Sequence, residues 1–122
     1  MEKQIQAAVG YLELGMLFEA NEEIESLAPK LKTSSPVLCV RMEIYRSAKN
    51  WTLMEVVARE LWKRHPDDSA YWINLAWATR RSESIEAAQI ILLEALEKFP
   101  NGPLKRIKKQ VYFLSLFLVL HF

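Results

Sequence analysis

The sequence predicts an all-α fold of three stacked helical hairpins, because it lies on top of itself when shifted by 34 residues. Under that shift Tyr11 falls on Tyr45 and Thr79, Leu17 on Trp51 and Ile85, and Ala20 on Met54 and Ala88. Leu27 falls on Leu61 and Ala95, and Pro66 on Pro100. Within each period, apolar residues recur at helical spacing in two runs separated by a break. One such hairpin cannot bury enough apolar area to offset its ordering entropy, whereas three share a continuous core.

The first unit, residues 1–34, places Ile5, Ala8, Val9 and Leu12 on one helix and Leu17, Ala20, Ile24, Leu27 and Leu31 on the next. Gly15 separates them, where a reversing chain needs a flexible backbone. Ser35 is expected to cap the following helix, with Pro36 in its first turn, where a missing N–H costs nothing. The second unit, 35–68, runs through Leu38, Met42 and Tyr45, breaks near Asn50, and continues through Trp51, Met54, Ala58, Leu61 and Trp62. His65-Pro66-Asp67-Asp68 closes it, and Asp68 or Ser69 can cap the next helix. The third, 69–102, carries Trp72, Leu75, Ala76 and Thr79, breaks at Ser82 to Ser84, and resumes with Ile85, Ala88, Leu92 and Ala95. Phe99-Pro100-Asn101-Gly102-Pro103 reads as a helix stop followed by a new start.

Charge excludes some partners. Residues 1–34 hold three basic and six acidic groups, 35–68 six and five, and 69–102 three and four. Residues 103–122 hold four basic groups and no acid, so the body lacks the basic stripe that nucleic acid requires. A lone Cys39 cannot close an intramolecular disulfide. The N-terminus lacks the apolar stretch of a signal peptide, which makes a cytoplasmic location the expectation.

These residues resemble the tetratricopeptide repeat, whose signature is W-x2-L-G-x2-Y, then A-x3-F, then P. The third unit matches with Trp72, Leu75-Ala76, Ala88-x3-Leu92, Ala95 and Pro100. The second keeps Tyr45, Leu61 and Pro66 but has Arg41-Met42 in place of Leu-Gly. The first keeps Ala8, Tyr11, Gly15, Ala20 and Leu27 but has Lys32 in the proline column. Units one and three order small before large (Ala20/Ile24, Ala88/Leu92), and unit two reverses this (Met54/Ala58), which roughly conserves volume. The resemblance covers residues 1–102 and implies a right-handed superhelix of antiparallel hairpins, an α-solenoid, with a concave face lined by the first helix of each pair.

On that reading the groove is lined by Ile5, Val9 and Leu12, then Cys39, Glu43 and Arg46, then Ile73, Asn74, Trp77, Arg80 and Arg81. Trp77 stands opposite the Trp72, Leu75 and Ala76 columns, flanked by arginines. The set suits a peptide or helix with apolar anchors and an acidic end. Alternatively, the same residues pack against a C-terminal helix or a neighbour's tail. Family members that clamp the C-terminal carboxylate of chaperone peptides use Lys, Asn and Arg here. This chain has Ile5 and Val9 for the polar pair, Val40 for the Asn and Ala70 for the Lys, with Asn74 alone polar, so that specialised role is disfavoured.

Nothing in the sequence calls for catalysis, a metal or a cofactor. His65 and His121 are far apart, Asp67-Asp68 reads as a loop and cap, and no strand precedes Gly10 or Gly15 to make a phosphate loop. Residues 103–122 do not read as a fourth repeat. A basic run, Lys105, Arg106, Lys108 and Lys109, precedes twelve residues, 111–122, that are apolar on every side. Leu104, Ile107, Val111, Leu114 and Leu118 could cover the third hairpin, but Phe113, Phe117, Leu120 and Phe122 would stay exposed. Self-association through Leu104, Ile107, Val111, Leu114, Phe117 and Leu118, giving a homo-oligomer, is the favoured covering. Shallow membrane contact by 105–122, as in a peripheral adaptor, is the alternative. A full span is disfavoured, because twelve helical residues reach only about 18 Å against the roughly 30 Å of a bilayer core. An apolar terminus without a functional role is the third reading.

Overall fold

A computed structural model describes residues 1–107, with side chains as far as Lys105. It contains α1 (Glu2–Glu13), α2 (Leu17–Glu25), α3 (Ser35–Ser47), α4 (Trp51–Arg64), α5 (Ser69–Ser82), α6 (Ile85–Lys98) and a short 3-10 helix (Pro103–Ile107). Among the described residues there is no strand, so the fold is all-α. The second helix of each pair starts at Leu17, Trp51 and Ile85, steps of 34 residues both times. Each joint is closed by one backbone bond reaching five residues back: Met16 N–H to Tyr11 O (2.9 Å), Asn50 N–H to Tyr45 O (2.9 Å) and Ser84 N–H to Thr79 O (3.2 Å). Such bonds satisfy carbonyls that a helix end otherwise leaves open.

The chain forms two compact units, Met1–Leu61 and a second beginning at Trp62. In the first, α1 packs against α2, and α3 lies on both. Its core holds Ala8, Ala20, Ile24, Leu27, Val37, Val40 and Ile44, with Ile5, Tyr11, Leu12 and Leu31 partly buried at the edge. In the second unit α5 packs on α6, and the 3-10 helix folds against α6. Trp72, Ala95, Leu96 and Leu104 form a cluster there, flanked by Trp62, Ile91, Leu92 and Phe99. Leu104, at 5% exposure, is buried in this cluster. Val111, Leu114, Phe117 and Leu118 lie outside the described residues.

Burial follows the repeat columns. Ala8, Met42 and Ala76 are all buried, as are Ala20, Met54 and Ala88, and Leu27, Leu61 and Ala95. The size reversal of the second repeat is accommodated, since Met54 and Ala58 are both buried, like Ala20 and Ile24.

Two local features depart from the sequence reading. The apolar period runs through Leu27 and Leu31, yet α2 stops at Glu25 after nine residues, whereas α4 and α6 each have fourteen. Pro29 is the reason: it disfavours helix at Ala28 and cannot donate to the Glu25 carbonyl. Residues 26–34 instead form turns, in which Leu27 remains buried and Glu25 pairs with Lys32 and with Arg41 of α3. Ser35 is the first residue of α3 rather than its cap. Ser34 holds the cap position, and its hydroxyl donates to Leu31 O at 2.8 Å, bracing the preceding turn. The three later helices, α4, α5 and α6, have side-chain caps. Asn50 Oδ1 accepts from Leu53 N–H (3.3 Å), Asp68 Oδ1 from Ala70 N–H (2.9 Å) and Ser84 Oγ from Ala87 N–H (3.1 Å).

Candidate functional site

The second unit carries the better-defined surface, and Trp72 sets it. Its indole N–H donates to Pro66 O at 2.8 Å, tying α5 to the turn before it. Its ring stands edge-on to Trp62 (5.2 Å between centroids) and to Phe99 (6.2 Å), with the Lys98 ammonium 5.8 Å from the ring centroid. Leu75, Ala76 and Thr79 share the inward face with Trp72, at spacings of three, four and seven. Rotating about 100° per residue then carries Asn74, Trp77 and Arg81 to the other side of the helix and Ile73 and Arg80 to its flank.

Those five residues are not equivalent. Ile73 leans on the unit's core cluster and Asn74 is half-buried. Trp77 is half-buried, Arg80 and Arg81 are exposed, and the Arg81 guanidinium sits 5.1 Å from the centroid of the Trp77 ring. A cation over an indole face contributes about 0.5–1 kcal/mol at an exposed site. Both arginines lie in the last turn of α5, where the helix dipole favours positive charge. The result is an indole bordered by two cations, which can take an apolar side chain beside a carboxylate.

In the first unit the expected groove residues divide by helix. On α1, Ile5 and Leu12 pack partly against the core, while Val9 remains 37% exposed. On α3, Cys39, Glu43 and Arg46 are half-buried, and Glu43 pairs with Arg46 at 3.5 Å. On α5, Arg80 and Arg81 bring two positive charges together within the expected set. Val9, Glu43 and Trp77 hold one repeat column, and Leu12, Arg46 and Arg80 another.

One exposed group escaped sequence reasoning. Leu14 (75%) and Phe18 (72%) stand out at the joint of α1 and α2, with Met16 (38%) between them. Their signal was available in principle, because all three are large apolar residues outside the buried columns around Gly15.

Other chemistry is sparse. Among the described residues no group of three His, Cys, Asp or Glu side chains could hold a metal ion. His65 stacks on Tyr71 at 4.8 Å, and the open depression at Asn101, Gly102, Pro103 and Lys105 brings no acid–base pair together. Among the described residues no helix is long and apolar enough to cross a membrane. Fold and surface together define a class, an all-α protein of helical hairpins bearing an aromatic–basic patch on a first helix. No protein-family model, curated protein or solved structure matches the chain.

Proposed function

We propose that this chain is a non-catalytic protein–protein interaction module of the tetratricopeptide-repeat type, its hairpins piled into a right-handed superhelix. It binds a peptide or helix on the face formed by the first helices and self-associates through residues 103–122. The observation that carries the binding reading is the half-buried Trp77 ring with Arg81 against it and Arg80 exposed beside it. That arrangement favours a ligand with an apolar anchor next to acidic residues, recognised by burial of the anchor and charge-assisted hydrogen bonds to the arginines. The 34-residue recurrence of helix starts, joint bonds and buried columns supports the repeat reading.

A peptide panel in which a Leu, Phe or Trp anchor precedes two or three Glu residues tests it, with titration calorimetry as the signal. Trp77→Ala and Arg80→Glu are each expected to weaken the best peptide at least tenfold while leaving far-ultraviolet dichroism unchanged. Equal affinities for both variants and the parent chain overturn the assignment.

A further inference from the structure

We infer that the exposed joint of α1 and α2 is the docking surface for residues 105–122 of a second copy of this chain. The inference rests on the self-association reading above and names the surface that reading leaves open.

Three observations carry it. The first is apolar area. Leu14 and Phe18 are 75% and 72% exposed, with Met16 between them, all in the first unit. The second is rigidity. Gly15 holds φ at +75°, its N–H donates to Leu12 O at 3.0 Å, and Met16 N–H donates to Tyr11 O at 2.9 Å. A joint held this way presents its side chains without a further ordering cost on binding.

The third is charge. Residues 4–29 contain five glutamates and no lysine or arginine, and Glu13, Glu19 and Glu22 are near the joint. Lys30 and Lys32 come after the end of α2, where Lys32 already pairs with Glu25, and Lys3 lies at the start of α1. The joint is therefore apolar with an acidic border. Residues 103–122 are the complement in this chain: Lys105, Arg106, Lys108 and Lys109 without an acid, then twelve residues with no charged Asp, Glu, Lys or Arg. An apolar run entering the joint brings the basic run toward the glutamates, so burial and charge act in the same direction. The contact joins two different surfaces, which makes it heterologous, and it builds rings or open chains rather than only a symmetric pair.

Three variants of the 122-residue chain test this by sedimentation velocity over a hundredfold range of concentration. Leu14→Glu with Phe18→Glu spoils the joint, and Leu114→Asp with Phe117→Asp spoils the tail. Each alone is expected to associate at least tenfold more weakly than the parent chain, with unchanged helicity. Mixed in equal amounts they are expected to recover a one-to-one complex, since one supplies the intact tail and the other the intact joint. Leu14→Ser with Phe18→Ser, which adds no charge, is expected to weaken association in the same direction. A joint variant that associates like the parent overturns the docking surface and leaves tail-mediated assembly standing. A mixture that stays monomeric also overturns it, because an intact tail and an intact joint are then both present and do not bind. A parent chain that is monomeric at every concentration, or a tail variant that associates normally, overturns both readings.

Discussion

Gly15 and Lys49 occupy the same left-handed joint one repeat apart, with φ of +75° and +57°. In both hairpins the next N–H, that of Met16 or Asn50, donates to a tyrosine carbonyl five residues back, Tyr11 or Tyr45, at 2.9 Å. The geometry is the same and the residue differs. Glycine adopts that backbone freely, whereas a lysine Cβ crowds the following carbonyl. The third joint avoids the conformation. Glu83 has φ −121°, and Thr79 O accepts from both Glu83 N–H (2.8 Å) and Ser84 N–H (3.2 Å).

Two substitutions follow with opposite signs. Gly15→Ala is expected to destabilise by about 1–2 kcal/mol, the usual cost of a left-handed non-glycine residue. A Cβ there meets nothing within 4 Å, so the cost is in the backbone alone. Lys49→Gly releases a similar strain but gives the unfolded chain more freedom, leaving a net gain of under about 1 kcal/mol. Urea midpoints at unchanged slope measure both, and a loss on Lys49→Gly contradicts the strain assignment.

The repeat was legible because inward positions recur with the helical period and the joints have matching length. That made Ala20, Met54 and Ala88 readable as one buried column before any coordinates. Pro29 was not legible in the same way. It lies three positions ahead of the column shared by Pro66 and Pro100, and a search within the column finds Lys32 instead. The α5 patch was legible because Trp72 dictates which side of α5 faces inward. The contact of Arg81 with Trp77 and the pairing of Glu43 with Arg46 were not, since spacing carries no rotamer information. Leu14 and Phe18 escaped because their columns hold Ala48 and Ser82, and Thr52 and Glu86, so no apolar period marks them.

Met54 and Ala58 test whether column volume, rather than residue order, is what packing requires. Met54 is fully buried and Ala58 is 1% exposed. Met54→Ala is expected to cost about 3 kcal/mol through lost transfer energy and a residual cavity. Adding Ala58→Ile reproduces the Ala20/Ile24 order of the first hairpin and should restore about half of that loss or more. No recovery in the double variant means that backbone spacing differs between the hairpins.

Glu25 links the shortened α2 to its surroundings and confers a pH dependence. The hydrogen bond from Arg41, followed by that from Lys32, holds its carboxyl below the ordinary value of 4.5. A depressed folded value means that the stabilisation is complete above the ordinary value and is lost as pH falls through the folded one. The Glu25 side chain is 44% exposed, and solvent screening limits the contribution to about 0.5 kcal/mol. Glu25→Gln should therefore lower the urea midpoint slightly at about pH 7 and by less at about pH 3, as protonation of the parent carboxyl removes the difference. An equal deficit at both pH values attributes the loss to shape rather than charge.

Thr79 presents the reverse case, a polar group whose removal should help. Its hydroxyl oxygen is buried with no hydrogen-bond partner among the described residues, and the residue is 1% exposed. In the other two hairpins the same column holds Tyr11 and Tyr45, both only half-buried, whose phenol oxygens sit far from the backbone. Threonine is too short to carry its oxygen out of the core. Thr79→Val keeps the branched shape and removes the unsatisfied group, for an expected gain of about 1 kcal/mol. Thr79→Ser keeps the oxygen and deletes the methyl, so it should lose stability by about 1 kcal/mol. The two substitutions separate the terms: thermal midpoints that fall for both show that the hydroxyl is satisfied in solution, most simply by a buried water.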